Sequence, residues 1–341
     1  MNLNDLTLEQ LQSALVEIGE PKFRAKQIFK WFARGVTRLE EMTDISAKTK
    51  EKIKENYHIA NVEILHRFDS KLDETKKFLM ELDDGNIIET VAMFYKHGIT
   101  VCISTQVGCN MGCKFCASTI GGKLRNLTAG EILGQVATVQ RNLGTRISNI
   151  VLMGIGEPLD NYDHVVNFLK NVNDENGMCI GYRHISLSTC GLVDKIKKLA
   201  EENVPITLSV SLHAPDNETR DKIMPVNKAW KVEQLIDACR EYQSVTGRRI
   251  SFEYILINQL NDTIAHADTL MKITKGILSH INLIPANFVE ESGLVKSTPD
   301  RVKAFKQHLE KSGITVTVRR ELGSDISASC GQLRRKHSTE R

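Results

Sequence analysis

The sequence predicts an α/β fold: a partial (βα)6 barrel with a small helical N-terminal domain and a β lead-in. From about residue 99 onward, six short β-rich runs alternate with stretches of helical period, which indicates a parallel sheet with right-handed crossovers. Six such units suit an open, partial barrel better than a closed barrel of about eight strands. Before that point, apolar residues recur at steps of three and four, which is typical of helices.

Residues 1–58 form the predicted helical domain. The segments "TLEQLQSALVEIG" and "FRAKQIFKWFARG" carry apolar residues at helical spacing, and each ends on a glycine that can stop a helix. Residues 59–98 follow as the β lead-in. Two β-like runs there, "KKFLMEL" and "NIIETVAMFY", are separated by Asp83, Asp84 and Gly85, which suits a hairpin turn because glycine tolerates positive φ.

Residues 99–320 carry the predicted barrel. Its helices are well marked, with Thr128 and Glu131 spaced as a capping box at the start of the first one. A last strand is predicted at 315–320, and residues 321–341 form a C-terminal segment with a flexible basic tail. The six barrel strands are predicted in the runs "ITVCIS", "NIVLMG", "HISLST", "ITLSVSL", "ISFEYILI" and "HINLIP".

Composition sets limits on location and partners. The balance of 45 Lys and Arg against 42 Asp and Glu gives a net charge of +3, too mild to identify a nucleic-acid binder by charge alone. No run of about 18 apolar residues occurs, and the start "MNLNDLTLEQ" lacks the features of a signal peptide. We therefore expect a soluble, cytoplasmic monomer without membrane association. In a reducing compartment, cysteines bind metals, catalyse or pack more often than they form structural disulfides.

Three of the eight cysteines lie together in "GCNMGCKFCAST", just after the first barrel strand. Cys109, Cys113 and Cys116 follow the spacing C-x3-C-x2-C at the strand end where ligands bind in such folds. A structural zinc site usually needs four ligands, and no second C-x2-C pair is present. A catalytic zinc with three protein ligands and a [4Fe-4S] cluster with one open iron both remain compatible with this spacing.

This cysteine spacing, with Phe115 before the last cysteine, resembles the signature of radical S-adenosylmethionine (SAM) enzymes. The resemblance implies that Cys109, Cys113 and Cys116 hold a [4Fe-4S] cluster whose open iron binds SAM. It also implies that SAM is cleaved to a 5′-deoxyadenosyl radical. The segment "MGIGEPL" after the second strand is similar to the glycine and glutamate segment of these enzymes, which implies SAM contacts from Gly156 and Glu157.

A narrower resemblance extends from about residue 20 to 335. The segments "YRHISLSTCGLV", "SLHAPDNETRDKIMPVN", "HINLIPAN" and "TVRRELGSDISASCGQL" are similar to the RlmN/Cfr family of RNA adenine methyltransferases. Each residue that this family uses for SAM falls at a predicted strand end here. The further SAM contacts that the resemblance implies are Ser188, Ser211, Leu212, His213 and Asn287.

The same resemblance implies a methyl relay through two further cysteines. Carbon 2 of adenine is electron-poor and cannot attack the electrophilic methyl of SAM. The family therefore places the methyl first on a thiolate, Cys330 here, and uses a second SAM to activate it as a radical. Cys102 corresponds to the cysteine that releases the product through a transient disulfide, although packing in the first strand is the alternative. Glu89 corresponds to a proton acceptor near the adenine; a carboxylate inside an apolar strand otherwise indicates a solvated edge.

Substrates follow from the resemblance as well. RlmN-like enzymes methylate carbon 2 of an adenosine in 23S rRNA and of the adenosine beside the anticodon in tRNA, whereas Cfr-like enzymes methylate carbon 8 in the same rRNA. The segments "GEPL" and "STCG" favour carbon 2. An external electron donor is implied too. A different class, a zinc-stabilised RNA-binding module without catalysis, would use the clustered cysteines but leave Cys330 and Glu157 unexplained.

The predicted helical domain offers an RNA-binding surface. Basic and aromatic side chains together suit backbone contacts and base stacking. The alternative is an amphipathic helix whose aromatic face packs on the barrel. The basic residues are Lys22, Arg24, Lys26, Lys30 and Arg34, and the interleaved aromatic residues are Phe23, Phe29, Trp31 and Phe32.

Overall fold

One mixed sheet dominates the fold. The computed structural model describes residues 2–202, 204–287, 289–334 and 336–337. The helices of this part of the chain are α1 (Leu8–Glu17), α2 (Phe23–Ala33), α3 (Ala47–Asn56), α4 (Ala129–Leu143), α5 (Tyr162–Asn173), α6 (Val193–Glu201), α7 (Asn217–Ile223), α8 (Val232–Thr246), α9 (Ile264–Thr274) and α10 (Pro299–Lys311). The strands are β1 (Val62–Asp69), β2 (Lys76–Leu82), β3 (Asn86–Tyr95), β4 (Gly98–Cys102), β5 (Gln106–Val107), β6 (Arg125–Asn126), β7 (Ile147–Leu152), β8 (Ile185–Thr189), β9 (Thr207–Ser211), β10 (Ile250–Leu256), β11 (Ser279–Pro285), β12 (Val316–Val318) and β13 (Lys336–His337). No helix of the described ranges is long and apolar enough to cross a membrane.

The predicted barrel is confirmed. Within the described residues the large sheet runs β1-β2-β3-β4-β7-β8-β9-β10-β11-β12, and every pair from β4 to β12 is parallel. The six predicted strands correspond to β4 and β7 to β11, and the last predicted strand to β12. Every residue of β10 is buried, as expected of a parallel strand covered on both faces. The helices pack outside this sheet and leave its carboxyl edge open for a site.

The β lead-in is an extension of the barrel sheet. Strands β2 and β3 coincide with the two predicted runs, and Gly85 at their turn has a positive φ of 78°. Strand β1 was missed by the sequence prediction and pairs antiparallel with β2. Because β3 pairs antiparallel with β4, side chains on the lead-in reach the first barrel strand directly.

The capping box at the start of α4 is confirmed. The Thr128 hydroxyl accepts the backbone N–H of Glu131 at 3.3 Å, and the Glu131 carboxylate accepts the N–H of Thr128 at 2.9 Å. The helix ends at Gly144, which adopts a left-handed φ of 62°. These contacts satisfy backbone groups that every helix end leaves without partners.

The first three helices form a unit with its own apolar core, which includes Leu11, Ile28 and Phe32. This helical unit is fastened to the barrel by polar contacts. The backbone N–H of Gly130, at the start of α4, donates to the Asp5 carboxylate at 2.7 Å. The described N-terminal unit therefore sits against the barrel and does not depend on a long linker.

The C-terminal segment folds back across the site. The backbone N–H of Ala117 donates to the carbonyl of Gly331 at 2.7 Å, which ties the segment to the cysteine loop. Beyond it, β13 pairs antiparallel with β3. Residues 336–337 of the predicted tail thus form a short strand, because the start of β3 extends beyond its pairing with β4 and leaves backbone groups available there. Residues 338–341 of that predicted tail lie outside the described residues.

Candidate active site

A cavity opens at the carboxyl ends of the barrel strands. In a parallel sheet these ends meet at one edge, and the loops that follow them carry the functional side chains. Glu89, Cys102, Leu212 and Asn287 lie outside its lining. The predicted site residues that line the cavity are Cys109, Cys113, Cys116, Gly156, Glu157, Ser188, Ser211, His213 and Cys330.

The three clustered cysteines lie in the loop between β5 and β6. Cys109 and Cys113 are buried, Cys116 is partly exposed, and all three are free thiols. The loop turns on Gly108 and Gly112, whose φ values of 80° and 70° favour glycine. The backbone N–H of Cys116 donates to the carbonyl of Cys113 at 3.1 Å. The last two cysteines therefore share one tight turn beside the cavity.

The donor set fits an iron-sulfur cluster better than a single metal ion. Burial raises the pKa of Cys109 to about 12 and the pKa of Cys113 well above its usual value, so these thiols stay protonated until a metal centre displaces the protons. Among the described residues, no three His, Cys, Asp or Glu side chains lie close enough together to hold one metal ion. A zinc ion would require such closeness, because its bonds to sulfur are only about 2.3 Å long. In a four-iron cluster, each cysteine binds a different iron.

Glu157 connects the loops that follow β7 and β8. Its Oε1 accepts the backbone N–H of Leu159 at 3.0 Å, and its Oε2 accepts the backbone N–H of Cys190 at 2.7 Å. Burial raises the pKa of this carboxyl, and the two N–H groups favour its charged form. The Thr189 and Cys190 side chains also hydrogen-bond this carboxylate and favour its charged form.

Two glycines let the loop after β7 approach the loop after β4. A Cβ on Gly154 would lie 2.6 Å from the carbonyl oxygen of Ile103. Gly156 has a φ of 110°, and a Cβ there would lie 2.6 Å from the Cβ of Gln106. Side chains at these two positions would therefore force the two loops apart and widen the cavity floor.

Ser188, Ser211 and His213 stand at the ends of the neighbouring strands β8 and β9. The two serine hydroxyls are 3.5 Å apart. His213 has a left-handed φ of 58°, and its Nδ1 accepts the backbone N–H of Ile255 at 3.0 Å, which leaves the ring proton on Nε2. Burial lowers the pKa of His213 to about 3, so the ring is neutral near pH 7. Phe115 packs against it edge-on, with ring centres 4.7 Å apart.

Leu212 and Asn287, two predicted SAM contacts, have other partners. The Leu212 side chain is fully buried, and its carbonyl accepts the Arg220 Nε–H at 3.0 Å. The Asn287 amide donates to the carbonyl of Cys330 at 2.8 Å. Asn287 therefore positions the C-terminal cysteine, and the SAM contacts of both residues stay predictions.

Cys330 separates two cavities. Its side chain lines the cavity of the clustered cysteines and also a smaller one that Tyr95 and Asn287 line. Arg319 lines both cavities as well, with Nη1 3.8 Å from Oε2 of Glu253. A thiol placed in this way can face a cofactor on one side and a substrate on the other.

Cys102 lies on β4 opposite Val91 of β3. It packs in an apolar cluster that includes Val91, Ile155 and Leu333, and it is 7% exposed. Burial, with a smaller effect of the nearby Cys330, raises the pKa of Cys102 to about 12. Cys102 therefore packs in the first barrel strand, as the alternative predicts, and is close enough to Cys330 for the two thiols to interact electrostatically.

Glu89 is buried on β3, with 3% of its surface exposed. Its Oε1 is 3.3 Å from the Lys77 Nζ, and its Oε2 accepts the backbone N–H of Arg334 at 2.8 Å. This burial excludes the solvated edge that an isolated strand carboxylate would indicate. Glu89 also anchors the segment that follows Cys330.

Two buried charges at the site were missed from the sequence. Arg220 is fully buried and donates to the carbonyls of Leu212 at 3.0 Å and Cys190 at 2.7 Å. It resembled an ordinary helix residue in "NETRDKI". Glu253 lines the main cavity and accepts the Asn282 amide at 2.7 Å. The same signal that indicated Glu89, a carboxylate within an apolar run, could have identified Glu253 in "ISFEYILI".

The predicted RNA-binding residues divide by face. Phe29 and Phe32 are buried in the core of the helical unit itself, whereas the packing alternative placed the aromatic face on the barrel, and Phe23 is 57% exposed. The Trp31 indole donates to the Asp44 carboxylate at 2.6 Å. The basic side chains on the exposed side of α2 include Lys22, Lys26, Lys30 and Arg34.

Comparisons with known proteins agree with this geometry. A model of the radical SAM superfamily matches residues 103–270, and a model of the ribosomal RNA large subunit methyltransferase N-terminal domain matches residues 1–59. The crystal structure of a radical SAM methyltransferase from Sphaerobacter thermophilus superposes with a TM-score of 0.93 at 41% identity, over 98% of this chain and 99% of that one. The fold and site thus define a radical SAM enzyme, a class that uses a [4Fe-4S] cluster and SAM.

Curated relatives narrow this class. The chain is 52% identical to a probable dual-specificity RNA methyltransferase RlmN of Clostridium novyi over 98% of both chains. It is 53% identical to the protein of the same description from Clostridium tetani, over 99% of this chain and 97% of the relative. The chain therefore belongs to the RlmN family of radical SAM methyltransferases.

Proposed function

We propose that this enzyme methylates carbon 2 of an adenosine in the peptidyl-transferase region of 23S rRNA, and of adenosine 37 beside the anticodon in tRNA. The observation that carries the proposal is the position of Cys330 between the cavity of the clustered cysteines and a second cavity. A methyl-carrying thiol must reach both SAM and RNA, and this position suits both tasks. The description of the relatives as dual-specificity RNA methyltransferases supports two kinds of RNA substrate.

Cys109, Cys113 and Cys116 would hold the cluster. When bound, the cluster supplies the electron that converts SAM to a 5′-deoxyadenosyl radical. Glu157 would accept a hydrogen bond from the SAM amino group in place of the one from the Thr189 or Cys190 side chain. Ser188, Ser211 and His213 would complete the polar side of the SAM site, since they line the same cavity.

In the first half of the cycle, the Cys330 thiolate attacks the methyl carbon of one SAM. The carbon–sulfonium bond breaks, S-adenosylhomocysteine leaves, and Cys330 becomes S-methylated. Arg319 places a positive charge beside this thiolate, and Cys330 is the main cause of the raised pKa of Arg319. Asn287 holds the carbonyl of Cys330, so the thiol keeps its place between the cavities.

In the second half, a hydrogen atom leaves the methyl of S-methyl-Cys330 for the deoxyadenosyl radical. The resulting carbon radical adds to carbon 2 of adenine, and the adduct then loses the carbon 2 proton and one electron, which would return to the cluster that supplied one electron for SAM cleavage. Glu89 would accept this proton. The Cys102 thiolate attacks the Cys330 sulfur, so a disulfide forms while the carbon–sulfur bond breaks and the methyl carbon takes up a proton. An external dithiol must reduce this disulfide before the next cycle.

The experiment that tests this function uses anaerobically reconstituted enzyme with SAM, a reductant, and unmodified 23S rRNA and tRNA. The digested nucleosides are identified by mass spectrometry against standards. We expect 2-methyladenosine in both RNAs. Finding 8-methyladenosine instead would reassign the enzyme to Cfr-like chemistry.

A pair of cysteine variants provides the control. Cys330→Ala should abolish methylation while the absorption of the cluster is retained. Cys239→Ala removes a thiol that is buried on α8, outside the lining of the site, and should leave methylation intact. Normal turnover by Cys330→Ala would exclude Cys330 as the methyl carrier.

A further inference from the structure

We propose that a cleft between the helical unit and the barrel binds the phosphate backbone of the RNA substrate, at a distance from the methylated base. The inference rests on the proposed function and adds a second contact region to it. Lys30 and Arg34 of α2 form one wall of this basic cleft. Arg141 and Arg146, on either side of the loop between α4 and β7, form the other, and a turn that contains Glu175 closes it.

Positive charge in the basic cleft is largely uncompensated. Its lining contains four cationic side chains and a single carboxylate, Glu175, although the whole chain carries a net charge of only +3. Arg141 pairs with Glu41 at 2.6 Å. Among the described residues, Lys30, Arg34 and Arg146 take part in no ion pair. Uncompensated cations lining one concave surface attract a polyanion.

The cationic side chains are held in place and face a groove. Lys30 lies in the last turn of α2 and Arg34 is its C-cap residue, so two positive charges lie four positions apart and repel each other. The Arg34 guanidinium lies 5.1 Å from the centre of the Trp31 ring, which restricts its motion. Arg146 donates through Nη2 to the carbonyl of Cys179 at 2.9 Å, a contact that fixes the side chain without neutralising it.

The walls of the cleft form a rigid pair. Gly35, just after α2, passes so close to α4 that a Cβ on it would lie 2.8 Å from the carbonyl oxygen of Ala137. Backbones in such close contact keep the two walls at a fixed separation. A fixed array of guanidinium and ammonium groups matches the regular spacing of backbone phosphates better than a single free anion.

The position of the cleft excludes SAM and the target base as its ligand. Arg146 immediately precedes β7, whereas Met153 immediately follows it and lines the catalytic cavity. The six residues of β7 span about 20 Å at roughly 3.3 Å each. A ligand that reaches both the basic cleft and the catalytic cavity must therefore be long, and it must be negatively charged in the cleft. A folded RNA whose target base lies in the catalytic cavity meets both requirements.

The test measures binding of the holoenzyme to an unmodified full-length tRNA transcript across a series of KCl concentrations. The Lys30→Gln, Arg34→Gln double variant removes two charges from exposed positions without adding new ones. The matched control, Lys272→Gln with Lys275→Gln, removes two exposed charges at the end of α9. We expect the cleft variant to bind roughly tenfold more weakly and to lose about two units of the slope of log Kd against log salt, because each lost phosphate contact removes about one.

A short RNA separates the cleft from the catalytic site. A trinucleotide centred on the target adenosine is too short to reach the cleft about 20 Å away, so the cleft variant should methylate it at the same rate as the wild-type enzyme. The proposal would be overturned if the cleft variant bound full-length tRNA with the affinity and salt slope of the wild-type enzyme. It would also be overturned if the control variant lost as much affinity as the cleft variant. If wild-type enzyme methylates no RNA at all, the proposed function fails instead. Circular dichroism of each variant confirms that the compared proteins are folded.

Discussion

The carboxylate of Glu157 accepts the backbone N–H of Cys190 at 2.7 Å, so a side chain that follows β7 fixes the loop that follows β8. The carbonyl of the same Cys190 accepts a hydrogen bond from the buried Arg220 at 2.7 Å. Both backbone groups of one loop residue are therefore held by buried charges. The loops around the cavity are set before any cofactor binds, which reduces the entropy that binding must remove.

The first prediction concerns Glu157→Gln. An amide has one acceptor oxygen where the carboxylate has two, so one of the backbone N–H groups of Leu159 and Cys190 loses its partner. Leaving a buried N–H without an acceptor should lower the free energy of unfolding by about 1–3 kcal/mol. Urea unfolding measures this loss, and isothermal titration should show weaker SAM binding. Glu218→Gln, at a carboxylate that is 85% exposed, should change neither quantity.

A second prediction compares two glycines. Gly154→Ala places a methyl group 2.6 Å from a backbone carbonyl that cannot move aside, so we expect a loss of more than about 2 kcal/mol and of SAM binding. At Gly181 the nearest atom to a new Cβ is a His184 side-chain carbon 3.9 Å away, so Gly181→Ala should be neutral or stabilising. Thermal unfolding of both variants checks the contrast. Equal stability of the two would mean that the loop after β7 does not require close approach.

A third prediction uses Cys102→Ala. If Cys102 releases the product, its loss should trap a covalent adduct between the RNA and Cys330, which denaturing gels and mass spectrometry of the linked peptide would detect. Free turnover by this variant would leave Cys102 as a packing residue of β4. The wild-type cysteine packs among apolar side chains, so the alanine variant should still fold with a loss of about 1 kcal/mol.

A fourth prediction concerns pH and Asp84. Burial alone would raise the pKa of this carboxyl, but hydrogen bonds from Arg125 and Asn86 outweigh it and lower the pKa to about 2. The pKa of Asp84 in the folded protein lies below its value in the unfolded chain, which is near 3.9. The stabilisation from this carboxylate is therefore complete above about pH 3.9 and is lost as the pH falls toward about 2. Asp84→Asn should therefore cost about 1 kcal/mol or less at pH 7, since the pair is partly screened by water, and nothing near pH 2. Chemical unfolding at the two pH values tests this difference.

Local patterns predicted the elements well. Strands β2 and β3 have the predicted bounds because two nearly continuous runs of buried, mostly apolar residues and the glycine turn between them are encoded over a few residues. The capping box of Thr128 and Glu131 is local for the same reason. The pairing of β13 with β3 joins positions about 250 residues apart in sequence, and no local pattern encodes it.

The site residues also divide into those that a local sequence pattern identifies and those that only the folded structure brings together. Cys109, Cys113 and Cys116 carry their own spacing, and the structure brings them to one cavity with Glu157. Arg220 shows no such signal, because its importance comes from carbonyls that the ends of β8 and β9 present to it only after folding. Cys102 and Cys330 lie far apart in the sequence, so their pairing came from the family resemblance and not from the residues themselves.

The attachment of the last strand to β3 has a consequence for synthesis of the protein. Ribosomes add residues in order, and domains begin to fold as they emerge. A nascent chain can pair β3 with β4 early, but Cys330 and β13 arrive after every barrel strand has been made. The catalytic centre therefore closes only after the barrel strands have been made, and the cysteine loop stays uncovered until the segment that contains Cys330 emerges.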